Sequence, residues 1–181
     1  LVEHAREGLL HLNRQLLLRQ LVDLIPRGVD GPARAAHRDG AAAVLVMSAD
    51  KAKAMRLDPI ARIVSSGVSA LNPEIMGLGP IDACKQAMAR AGMSIGDIAH
   101  VEINEAFAVQ VLGSADELGI DLDKLNPNGG AIALGHPFGM TGARIMTTLL
   151  NGMEDSGATI GMESMCVGGG QGMAMIVERL N

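Results

Sequence analysis

Apolar residues fall into two rhythms along the chain. From Leu1 to Gly28, Leu1, Leu9, Leu10, Leu12, Leu16, Leu17, Leu21, Leu24 and Ile25 recur near a helical period, with Arg and Glu on the other faces. Pro26 and Gly28 close that run, so the pattern predicts a helix followed by a polar, breaker-rich linker to Gly40. Ala41 to Met47 is a continuous small apolar run, which predicts a buried strand. A short helix over Ala49–Arg56 with Ser48 as cap, a strand over Ala61–Ser69 and a loop over Asn72–Pro80 follow. Ile81–Ala91 reads as an amphipathic helix, Ser94–Ile98 as a capped turn and His100–Ile103 as a strand. Glu105–Leu118 reads as a helix offering Phe107, Val109, Val111 and Leu112 for burial, with Asn104 as a candidate cap and Glu105 as a favourable first-turn acid. After a helical turn at Asp121–Leu125 come a glycine-rich loop and a helix from Ala143 to Asn151. Thr159–Met165 and Met173–Glu178 close the chain as two strands.

This alternation predicts an α/β fold in layers, a mixed sheet with helices on both faces. The 181 residues suit one domain with a sizeable core. That core must be aliphatic and methionine-rich, because the aromatics are Phe107 and Phe138 alone beside twelve methionines. A net charge of −5 without a basic face argues against nucleic acid. No apolar run approaches the ~20 residues of a spanning helix, and charges interrupt Leu1–Asp30 throughout, unlike a signal peptide. The two cysteines, Cys84 and Cys166, form no disulfide framework and suit a reducing cytosol. Neither has a histidine at zinc-ligand spacing, so no metal site is expected.

Three stretches carry candidate chemistry. In Asn126–Arg144, NPNGGAIALGHPFGMTGAR, five glycines surround His136 on a turn that feeds a helix. Read alone, this also describes an ordinary surface loop. In Met165–Gly172, MCVGGGQG, Cys166 precedes three glycines at a strand end. In Val101–Ala108, VEINEAFA, Asn104 and Glu105 stand at a strand–helix junction. A thiol beside an imidazole serves as nucleophile or base, and an amide with an imidazole can hold an oxyanion or a water. Cys84, on a helix face, reads as a small core residue. The spacing Gly135–Gly139–Gly142 fits neither a P-loop nor a dinucleotide turn, so a nucleotide-binding module ranks last.

In the order NEAFA, GHP, CxGGGxG, these stretches resemble the C-terminal half of thiolases, the acetyl-CoA acyltransferases. DGAAAVLVMS (Asp39–Ser48) and NPEIMGLGP (Asn72–Pro80) fit the same family. The resemblance covers 39–181 and leaves 1–38, with RAAHR in place of the family's Asn-containing turn, as a helix and linker outside it. It implies thiolysis of a 3-ketoacyl-CoA by CoA to acyl-CoA and acetyl-CoA, or the reverse condensation, in fatty-acid or lipid metabolism. By this resemblance His136 takes the nucleophile's proton and faces an oxyanion site. Asn104 holds a water there, Cys166 is the general acid and base, and the Gly168 N–H serves a second oxyanion site. Met76 and Phe107 line the acyl pocket. CoA is a substrate, no cofactor or metal is expected, and a cytoplasmic homo-oligomer is implied. The family's nucleophilic cysteine belongs to the N-terminal half, and no stretch here matches its surroundings. Activity is therefore expected to need a missing N-terminal half or a partner chain. The alternative is a non-catalytic thiolase-like scaffold or interaction protein.

Overall fold

The computed structural model describes residues 40–180 and the backbone of one upstream strand, β1 (Gln15–Leu21). After β1 come β2 (Ala43–Ser48), α1 (Ala49–Ala54) and β3 (Ala61–Ala70). A 3-10 segment, Pro73–Leu78, leads into α2 (Gly79–Ala91), β4 (His100–Ile103) and α3 (Ala108–Leu118). The chain ends with α4 (Ala131–Leu134), α5 (Thr141–Ser156), β5 (Ile160–Val167) and β6 (Gln171–Arg179). One six-stranded sheet has the order β2-β1-β3-β6-β5-β4. Among these six strands β4 and β5 pair in parallel and the other neighbours are antiparallel.

Helices cover both faces, as the alternation predicts. On one face α2 and α3 bury Ala83, Cys84, Ala87, Met88, Val111, Ala115 and Leu118 against Val101, Ile103, Met162 and Ile176. On the other, α5 buries Met146, Leu149, Leu150 and Met153 against Ala61, Ile63 and Val177. Strand alternation sends Met162 to the first face and Gly161 to the second, where Leu149 and Met153 close over it. Cys84 is fully buried in the first core, as its helix position suggested.

Several expectations are corrected. The run from Leu1 to Gly28 is not one helix: Gln15–Leu21 is a strand, paired with β2 and, through Leu16 and Leu17, with β3. A leucine-rich run of that length satisfies either period, and ladder hydrogen bonds decide for the strand. The rest of 1–38 lies outside the described residues. The strand over 43–48 is an edge strand: among the described residues only Val44 packs against the α5 core, and Leu45 and Val46 are about half exposed. The helix after Asn104 begins only at Ala108, with Phe107 extended before it (φ −146, ψ 139). Phe107, Val109 and Leu112 are therefore exposed rather than buried, and only Val111 enters the core. The stretch 72–80 is not an open loop but 3-10 turns leading into α2, capped by Asn72 Oδ1 on Glu74 N–H.

Candidate active site

The carboxyl ends of β4 and β5 gather the chemistry. They pair in register, Ile103 opposite Ser164, and the Asn104 N–H donates to Ser164 O at 2.9 Å. Asn104 directly follows β4 and is fully buried, and Cys166 lies two residues beyond Ser164 at the same end of the sheet. Cys166 belongs to β5 rather than to the turn, pairing with Gly172 on β6. Gly168 sits in the turn that follows, its carbonyl accepting from Gln171 Nε2 at 3.3 Å. Gly172 lies directly on the Gly79 backbone, where a Cβ would meet the Gly79 carbonyl, so the Cys166 hairpin is locked to the start of α2. The 3-10 segment with half-buried Met76 joins the same end, through Leu71 N–H to Gly170 O at 2.8 Å.

The glycine-rich loop is tied to β4 by Asn126, which the sequence reading did not single out, and by Glu105, to which it gave another role. Asn126, in the left-handed region (φ 46), completes a strand-like pair with Ile103. Its Oδ1 accepts from the Ile103 N–H at 2.9 Å, and its Nδ2 donates to the Ile103 O at 2.9 Å. Glu105 accepts from Asn126 Nδ2 at 3.0 Å and from the Ile132 N–H at 2.9 Å. It thus clamps the loop instead of serving α3 as a first-turn acid. Gly130 makes room for that carboxylate; a Cβ there would lie 2.8 Å from Oε1.

This clamp delivers His136 to Asn104, with Asn104 Nδ2 3.2 Å from His136 Nε2. The other ring nitrogen, Nδ1, is 2.6 Å from Thr141 Oγ1, whose hydroxyl donates to Pro137 O at 2.9 Å. That hydroxyl has given its proton away, so it accepts from Nδ1–H. The neutral ring then carries its proton on Nδ1, with the Nε2 lone pair facing the Asn104 amide. Burial, and after it the Arg144 charge, holds the His136 pKa below its ordinary value. Burial pushes the Cys166 thiol up, which keeps it protonated near neutral pH. The pair suits complementary tasks: an unprotonated base at Nε2 and a protonated acid at Sγ. Phe138, 85% exposed, stands edge-on to His136 with ring centroids 4.9 Å apart. Phe107 is 71% exposed and Met76 half buried.

The C-terminal domain of thiolases matches residues 57–179. The chain belongs to the thiolase family. A 3-ketoacyl-CoA thiolase of Aeromonas hydrophila is 51% identical over 166 residues, covering 90% of this chain and 43% of the relative. An acetyl-CoA acetyltransferase of Escherichia coli is 50% identical over 143 residues, 79% of this chain and 36% of its own. The chain therefore spans about two fifths of the length of these thiolases. The Aeromonas match is longer than the stretch from Asp39 to Asn181, so it also runs into the first segment. Among solved structures, the Bacillus anthracis acetyl-CoA acetyltransferase superposes with a TM-score of 0.76 at 44% identity, over 78% of this chain and 36% of that one. A human mitochondrial 3-ketoacyl-CoA thiolase in complex with CoA gives 0.75 at 43%, over 81% and 38%. The expected fold, the C-terminal half of a thiolase, is borne out. Among the described residues, no helix is long and apolar enough to cross a membrane.

Proposed function

We propose that the chain is the C-terminal half of an acyl-CoA thiolase and supplies its proton-transfer and oxyanion groups. The observation that carries this reading is the hydrogen-bonded order Asn104–His136–Thr141, which leaves Nε2 as a base. His136 Nε2 takes the proton of a nucleophilic thiol, which attacks the 3-keto carbon of a 3-ketoacyl-CoA. The carbon–carbon bond breaks, the acyl group stays on that thiol, and acetyl-CoA leaves as its enolate. His136, now carrying a proton on Nε2, and a water on Asn104 bind the enolate oxygen; donors of this kind contribute about 3–4 kcal/mol each. The Cys166 thiol protonates the enolate carbon. Its thiolate then takes the proton of a CoA thiol, which carries off the acyl group, and the Gly168 N–H serves the second oxyanion. Met76 and Phe107 line the acyl pocket. Reversed, the same steps are a Claisen condensation.

The attacking thiol comes from outside these residues. Cys84 is fully buried and burial raises its pKa to about 11, so it offers almost no thiolate. An N-terminal thiolase half, in the same polypeptide or a partner chain, provides it, and 39–181 act as one domain with that half. The whole is a cytoplasmic homo-oligomer that takes acyl-CoA and CoA as substrates, in lipid metabolism such as β-oxidation, with no separate cofactor.

The test is thiolysis by a complete enzyme carrying this segment. Cys166→Ala, His136→Ala and Asn104→Ala should each lower kcat by about 10²-fold or more. Full activity of Cys166→Ala would favour a non-catalytic scaffold instead.

A further inference from the structure

We infer that Arg144 is a positioning residue: its guanidinium fixes the orientation of the Asn104 amide and, through it, the tautomer of His136. An amide's oxygen and nitrogen are nearly the same size, so its partners choose between its two orientations. Arginine only donates. Arg144 Nη2 lies 3.4 Å from Asn104 Oδ1, which directs the oxygen to the cation and the NH₂ to His136 Nε2. That distance is longer than an ordinary N–H···O bond. The control is thus largely the pull of a buried cation on the amide dipole, which a low-dielectric setting strengthens.

The surroundings of Arg144 fit no simpler role. It sits in the first turn of α5, 1% exposed. Burying a guanidinium costs several kcal/mol, normally offset by a bidentate carboxylate. Here Nε and Nη1 make no hydrogen bond within the described residues. Glu102, Glu105 and Glu163 balance its charge only at longer range. Those carboxylates are otherwise engaged or withdrawn. Glu102 bonds His100 at 3.0 Å, and Glu105 holds the glycine-rich loop. Burial raises the Glu163 pKa to about 8, so it is largely uncharged at neutral pH. Among the described residues, the one hydrogen bond of the Arg144 side chain goes to the amide next to the proposed base. Thr141 sets the tautomer from the other ring nitrogen, so both ends of the chain of contacts select the same one.

The inference rests on the proposed role of His136, yet its test reads the imidazole and not turnover, so either can fail alone. In the ¹⁵N-labelled 181-residue chain, long-range ¹H–¹⁵N spectra above the imidazole titration range report the tautomer. The wild type should show a pyridine-like Nε2 and a pyrrole-like Nδ1; the reverse would overturn the inference. Arg144→Met paired with Glu163→Gln removes the guanidinium together with the buried carboxyl whose ionisation it favours, and should give mixed tautomers, with the Nε2 shift moved toward the protonated position. Arg144→Lys, still donor-only, should restore the single tautomer, and Arg144→Gln, able to donate or accept, should not. An unchanged Nε2 shift in the paired variant would show that Thr141 alone sets the ring. A lysine variant as mixed as the paired one would overturn the donor argument.

Discussion

The two faces of the sheet are built on different terms. Under α2 and α3 the filling is almost wholly apolar: Ile98, Val101, Ile103, Met162 and Ile176 with the small residues of α2. Its buried polar groups are uncharged and include Ser65, whose Oγ donates to Ala87 O at 2.7 Å and joins β3 to α2. Under α5, apolar Leu149 and Met153 share the layer with buried Arg144, and strands β4 and β5 add His100, Glu102 and Glu163. The first face holds the sheet together. The second places charges behind the ends of β4 and β5, where Asn104 and His136 meet. A face that only had to be stable would not bury so many ionisable groups.

Breaking the apolar face should have the largest effect on stability. Ile176→Ala, at a fully buried position, should cost about 2–5 kcal/mol. A fall in the denaturation midpoint with unmoved His136 nitrogen shifts would separate the two faces. Next comes the charged face. The Glu163 pKa rises from 4.5 to about 8, first through burial, so the folded chain keeps a proton that the unfolded chain releases. Its contribution is full below 4.5 and is lost as pH rises toward 8. Glu163→Gln should therefore remove a decline of up to about 1 kcal/mol per pH unit across that window. His136 acts in the opposite sense: its lowered pKa gives stability that is present above 6.5 and lost as pH falls. Urea melts of wild type and Glu163→Gln across this range would check both signs. The smallest effect should come from Phe138→Ala. That ring is mostly exposed, so stability should change by less than about 0.5 kcal/mol while the edge contact with His136 is lost.

How legible each part was follows the same division. The apolar face could be read because α2, β4 and β5 carry patterns of clear period, and their observed bounds differ from the reading by a few residues or none. Patterns failed where an element has one neighbour missing or a long leucine run. The strand 43–48 reads as buried but is an edge, and Gln15–Leu21 reads as helix but pairs as a strand. Asn104 and His136 stood out by their motifs, and the structure brings them together; Cys166 ends the neighbouring strand. How they are held was hidden. Asn126, Glu105 and Arg144 work through contacts between segments tens of residues apart, which no local period encodes, whereas Thr141 reaches the His136 ring from within the same glycine-rich stretch. The one local signal was the density of glycines: Gly130 leaves room for the Glu105 clamp.

We propose that this chain holds the proton-transfer half of a thiolase site and takes its nucleophile from elsewhere. Thiolysis of a 3-ketoacyl-CoA by CoA tests it most directly, with the 181-residue chain alone and then mixed with a purified N-terminal thiolase half. The chain alone should show no turnover above a Cys166→Ala control. The mixture should turn over and lose that activity with His136→Ala. Turnover by the chain alone would contradict the account and would make Cys84 the next residue to replace.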